Sequence, residues 1–153
     1  MADQSHTVAA EYHLKTDTAK KPEYKSARAA GMDFFASETI TIDAGRHALV
    51  KTGVVMRLPA GYYLEISARS STFRKKRLIL TNGIGIIDED YCGIDDEIMF
   101  SYLNMGSEPV TIHAGDAIGQ GVVKHRLRAE LRPFTPNQQS RGGFGSTGGY
   151  RQG

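Results

Sequence analysis

The stretch "LILTNGIGIIDEDYCG", Leu78 to Gly93, carries the reading of the fold. Two apolar runs, "LILT" and "GIGIID", flank Asn82–Gly83. Asn-Gly between such runs is a strong hairpin signal, because both residues tolerate the positive φ that a tight turn demands. Similar runs lie on either side. Upstream are "MDFFAS" (32–37), "TITI" (39–42), "HALVKTGVVMRL" (47–58) and "YYLEISAR" (62–69). Downstream are "DEIMFSYLNM" (96–105), "EPVTIHAG" (108–115) and "AIGQGVVKHRL" (117–127). The 47–58 run is rich in β-branched residues and long enough for one or two strands. Turn signals such as "DAG" and "LPAG" separate the runs, and this spacing predicts an all-β barrel or sandwich. One short helix is expected through "TFRKKR", with Ser70 or Ser71 as its N-cap. No long helical periodicity and no internal repeat is visible.

The chain has 153 residues, 40% of them hydrophobic, which suits one domain with a real core. A formal charge of +2 is mild and makes no strong case for a nucleic-acid binder. The basic run Arg74–Arg77 could touch nucleic acid, but an isolated run of this kind more often solvates a surface. The single cysteine, Cys92, excludes an internal disulfide framework and cannot make a thiolate metal cluster alone. His6, His13, His47, His113 and His125 lack zinc-ligand spacing. No run approaches the ~20 apolar residues of a membrane span. The polar opening "MADQSHTVAAEYHLK" lacks the apolar stretch of a signal peptide and reads as a few loose residues. A cytoplasmic location, or the interior of a host cell for a viral protein, is the corresponding expectation. After Arg132 the strand pattern stops. Residues 1–132 are expected to form the β domain, and the glycine-rich 133–153 a mobile arm.

The densest polar cluster is "NGIGIIDEDYCGIDDE", 82–97. Asp88 stands at the end of a strand-like run, with glycines that let backbone amides approach a small planar ligand. The plainer reading is a hairpin turn that needs small and acidic residues. "SARSS" (67–71) places Arg69 and two hydroxyls after a strand, a set that binds phosphate or merely caps a helix. Gln120, in "GDAIGQG", reads by itself as a strand residue. Asp33 lies among apolar residues and needs a partner if buried. Asp95, Asp96 and Glu97 could suggest a metal. Adjacent strand residues point to opposite faces, which favours an exposed acidic turn. "RGGFGSTG" (141–148) lacks the lysine of a phosphate-binding P-loop.

In order, "AGMDFFA" (30–36), "ARSS" (68–71), "NGIGIIDEDYCG" (82–93), "GDAIGQ" (115–120) and "RGGFGSTG" (141–148) resemble the motifs of the homotrimeric dUTPases. The resemblance spans almost the whole chain. It implies an all-β, jelly-roll-like barrel with one short helix and a flexible C-terminal arm, assembled as a trimer with shared sites. It implies that dUTP and water give dUMP and pyrophosphate, with Asp88 orienting and activating the attacking water. Asn82 and the backbone from Gly83 through Ile87 to Tyr91 would read uracil, and Tyr91 would pack under the deoxyribose. Arg69, Ser70, Ser71 and Gln120 would hold phosphates, with Asp33 supporting the site near Arg141. From a neighbouring arm, Arg141, Ser146 and Thr147 would cover the phosphates, while Phe144 stacks on uracil and Gly145 lets the chain wrap. A Mg²⁺ ion would be held chiefly by the phosphates and water.

The sequence departs from the family pattern in several places. Ala68 and Ser71 stand in the phosphate motif, and Ala117 and Gly119 replace an arginine and an alanine. The arm is one residue short between Arg141 and "GFGSTG", and "IDDEIMFSYLNMG" is longer than usual. A dCTP deaminase, whose glutamate would fall near Ser101, is a less fitting enzyme. A nucleotide-gated module with a regulatory protein partner is the alternative from another class.

Overall fold

The computed structural model describes residues 7–142. Among these, the elements in order are β1 (Glu11–Leu14), β2 (Met32–Phe35), β3 (Ile40–Ile42), β4 (His47–Lys51), β5 (Val54–Arg57), β6 (Tyr62–Ser67), α1 (Thr72–Lys76), β7 (Leu78–Leu80), β8 (Ile84–Ile87), β9 (Met99–Asn104), β10 (Val110–Ile112) and β11 (Ala117–His125). They form a four-stranded sheet β2-β11-β6-β8, a three-stranded sheet β4-β9-β7, and the pairs β1-β5 and β10-β3. Every named strand pairing is antiparallel.

Two expectations are corrected. The barrel does not close, because each sheet has two free ends in its strand order and none returns to its first strand. The hairpin across Asn82–Gly83 does not form either. The turn is there, with Gly83 at φ 69° and its N–H donating to the Leu80 carbonyl over 3.1 Å. Yet β7 pairs with β9, whereas β8 pairs with β6. The Thr81 N–H continues the first ladder by donating to the Ser101 carbonyl at 2.9 Å. The Asn-Gly step therefore carries the chain from one sheet to another. Turn chemistry fixes the local reversal of direction, but the partner of each strand is chosen by the core it can cover.

The core lies between these sheets. Phe34, Leu64, Val50, Val54, Ile98 and Phe100 have no exposed surface, and Tyr102 has almost none. Burial of such a side chain is worth roughly 1.5–3 kcal/mol. Buried polar groups bond the layers to one another. Asn104 Nδ2 donates to the carbonyls of Ile42 and Glu108, at 2.9 and 2.8 Å, and its Oδ1 accepts from Gly106 N. The Thr52 hydroxyl donates to the Ile98 carbonyl at 2.6 Å. Tyr102 donates to the Ile118 carbonyl, and burial pushes its phenol up to about 12. Gly119 is required by packing, because a Cβ there would run into the Phe100 ring. That contact accounts for glycine where the family pattern has alanine.

The 47–58 run divides into β4 and β5. β1 forms inside the stretch read as loose, since its mostly exposed residues give no alternation and its order comes from pairing with β5. Ser71 does precede α1, but its side chain makes no capping bond. The helix ends instead on Arg77 in the left-handed region, φ 56°, whose N–H donates to Phe73 O.

Candidate active site

The end of β6 delivers the first group of candidates. In register, Asp33 of β2 lies opposite Gln120 of β11, and Gln120 lies opposite Ser67 of β6. Arg69 follows two residues after Ser67, and its Nε sits 3.3 Å from Asp33 Oδ1. A second guanidinium contact reaches the Ala117 carbonyl at 3.5 Å. Gln120 Nε2 donates to Ser67 Oγ and to the Ala68 carbonyl, each at 3.4 Å. Asp33 is buried, and its Oδ2 has no protein partner. The ion pair of Asp33 is thus with Arg69. Arg141 is exposed and forms no ion pair among the described residues. Ser70 is exposed and Ser71 half-buried, on the wall of a cavity of about 230 Å³ with Arg69 and Thr72. This group presents a positioned guanidinium, hydroxyls and an amide, which is the donor set for a phosphate chain.

The second group lies at the other end. Ile87, the last residue of β8, lies opposite Leu64, near the start of β6. Asp88 follows it, exposed, and Asp88–Tyr91 is a turn closed by the Tyr91 N–H on the Asp88 carbonyl at 3.2 Å. The Tyr91 ring is 36% exposed and its hydroxyl donates to the Glu97 carbonyl. The turn thereby carries a carboxylate with no partner among the described residues, three positions before a partly exposed ring. Asn82 and Gly83 are exposed and flank the opposite end of β8. Phe144, Gly145, Ser146 and Thr147 lie outside the described residues.

The acidic stretch after the turn is spent on structure. Asp95 pairs with Lys15 at 3.2 Å, Asp96 accepts from Gly93 N at 2.7 Å, and Glu97 accepts from Gly53 N at 2.8 Å. Among the described residues no group of three or more His, Cys, Asp or Glu could hold a metal. Isolated carboxylates fit Mg²⁺, which keeps its waters and takes one or two protein ligands beside substrate phosphates. Sequence reasoning missed Glu89 and Arg126. Glu89 Oε1 lies 3.0 Å from Arg126 Nη2, and its Oε2 accepts from Gly61 N. No short-range signal joins positions 89 and 126.

The architecture is an open all-β fold, with a guanidinium group at one end of a strand and a carboxylate turn at the other. A family model for dUTPase matches residues 17–148. The deoxyuridine 5'-triphosphate nucleotidohydrolase of Wolinella succinogenes is 41% identical over 130 residues, covering 83% of this chain and 85% of its own. That of Desulfotalea psychrophila is 37% identical over 139 residues, covering 88% and 91%. A solved Streptococcus mutans dUTPase superposes with a TM-score of 0.72 at 33% identity, covering 78% of this chain and 98% of its own. A Staphylococcus bacteriophage 80alpha dUTPase variant with dUpNHpp reaches a TM-score of 0.81 at 22% identity, covering 93% and 99%, a likeness of fold alone. The chain belongs to the dUTPase family.

Proposed function

We infer that the chain hydrolyses dUTP to dUMP and pyrophosphate, removing dUTP as a source of uracil in DNA and supplying dUMP. The observation that carries this is the family match over 17–148, which includes every residue of the candidate site from Asp33 to Thr147. Asp88 orients a water toward the α-phosphorus and takes its proton as the bond forms. Its exposure and lack of a side-chain partner among the described residues leave it free to do so. Arg69, Ser70, Ser71 and Gln120 hold the phosphates, and Asp33 fixes the guanidinium that does most of the neutralising. Asn82, Gly83 and the backbone to Ile87 read the uracil edge, and Tyr91 packs against the sugar. Arg141, Phe144, Gly145, Ser146 and Thr147 close over the nucleotide. Mg²⁺, held by the phosphates and water, supplies charge neutralisation when bound.

The assembly we infer, from the family resemblance, is a homotrimer with shared sites, and the spacing of the two groups supports the sharing. The row through Ser67 and the row through Leu64 are three residues apart on β6, roughly 10 Å at ~3.3 Å per residue. Arg69 and Asp88 each lie beyond their row in opposite directions. A water on Asp88 must come within ~3 Å of the group it serves, so the phosphate group of one copy is best matched to the carboxylate turn of another. The test is incubation with Mg²⁺ and dUTP, dCTP, dTTP or UTP, followed by product analysis. Formation of dUMP from dUTP alone is expected. Conversion of dCTP to dUTP, or no product, overturns the reading. Sedimentation of the intact chain at trimer mass tests the assembly, and a higher KM in Phe144→Ala tests the arm.

A further inference from the structure

Three distant segments converge where β8 and β11 leave the four-stranded sheet and β6 enters it. Gly61 lies in the turn before β6, at φ 83°, a conformation that favours glycine. Its N–H donates to Glu89 Oε2, and its carbonyl accepts from Arg126 N at 2.7 Å. The Arg126 guanidinium then reaches back 3.0 Å to Glu89 Oε1. Both side chains are about two-thirds buried, at 29% and 34% exposure, and Arg126 Nε is buried without a partner. Each oxygen of Glu89 thus accepts from one donor, and one of the two is a guanidinium with no other ion pair among the described residues. Charge-assisted bonds of this kind are short and directional.

Two consequences meet at this clamp. Glu89 is the residue after Asp88, inside the turn closed by Tyr91. Arg126 is the first residue after β11, and 126–142 contain no helix or strand. Among the described residues Asp88 has no side-chain bond, so what the fold sets is where its backbone launches the side chain, and the bonds of Glu89 anchor that backbone.

We propose that Glu89 and Arg126 are positioning residues that lock the Asp88–Tyr91 turn to the root of the C-terminal segment through Gly61. The proposal rests on Asp88 being the water-activating group. A displacement of about 1 Å at a reacting group costs up to ~10²-fold in rate. Glu89→Ala is therefore expected to lower kcat by about tenfold or more at saturating dUTP, with KM changed less than about threefold. Glu89→Gln keeps an acceptor for Gly61 N and should recover most of the loss. Arg126→Lys keeps the charge without the fork, and should fall between the two. Folded fraction is measured for each variant by near-ultraviolet circular dichroism.

The decisive readout is a double-mutant cycle. In an Asp88→Asn background, Glu89→Ala should have almost no further effect on residual turnover, because the group it positions is gone. A purely structural glutamate would lower that residual rate by the same factor as before, and would overturn the proposal. So would a folded Glu89→Ala enzyme with kcat within about twofold of the parent. Should Asp88→Asn itself retain full turnover, the assignment of Asp88 fails, and that result is separate from the cycle.

Discussion

At the C-terminal end of β6, the candidate residues bond to one another. Asp33 holds Arg69, and Gln120 is bonded to Ser67 and Ala68. At the N-terminal end, Asp88 and the face of Tyr91 are left open, and neighbours do the holding through Glu89, Gly61 and Arg126. The difference fits the roles proposed for the two ends. A guanidinium for phosphate needs a fixed direction and keeps its charge whatever its partner. A carboxylate that takes a proton from water must keep its oxygens free, so it is positioned by its backbone. Preorganisation is built into the side chains at one end and into the turn at the other.

Breaking the open end should have the largest effect. Asp88→Asn is expected to cost about 10²–10⁴ in kcat, near 3–5 kcal/mol of barrier, while dUTP still binds. Steady-state rates with a separate binding isotherm check this, and full turnover would remove the contrast between the ends. Breaking the braced end should show first as stability. Asp33→Ala leaves the Arg69 guanidinium without its carboxylate. Arg69 is 37% exposed, so solvent screens part of the loss, and about 1–3 kcal/mol is expected in a urea titration. A raised KM for dUTP should accompany it.

Two smaller changes sharpen the picture. Gly119→Ala restores the family's residue but drives a methyl into Phe100 beneath the braced end. The expected loss is about 1–3 kcal/mol, partly returned by Phe100→Leu. An unchanged thermal midpoint would mean that β11 can shift without cost. Tyr91→Ala should leave the fold nearly as stable and lower the preference for dUTP over UTP by about tenfold, close to 1.4 kcal/mol. Competition between the two nucleotides measures it, and unaltered selectivity would place the ring away from the sugar.

Most strands were legible because β-branched runs between turn residues have few other uses. β1 was not, since Glu11, Tyr12 and His13 are exposed and what orders them is distant: pairing with Arg57, Met56 and Val55, and the Glu11–Arg57 ion pair. The Asn82–Gly83 reversal was legible, but not its role as a crossing between sheets. Asp33 showed its need for a partner, yet nothing in the chain order said that Arg69 would meet it 36 positions later (69 − 33). The resemblance placed Asp88, Tyr91 and Gln120 in order along the chain. It did not show that the first two and the last lie at opposite ends of one strand.

The sequence by itself determined the local chemistry: which segments extend, where the backbone reverses, and which side chains carry the guanidinium, hydroxyl, amide and carboxylate groups to which the family resemblance gives roles. Periodicity, turn propensity and functional-group identity are properties of neighbouring residues, and can be read from them. The tertiary structure alone decided that the sheets stay open and that β7 and β8 part. It alone decided that Glu89 reaches Gly61 and Arg126. Those outcomes depend on which distant surfaces exclude water together and which buried charges find a partner. Such choices belong to the whole chain at once.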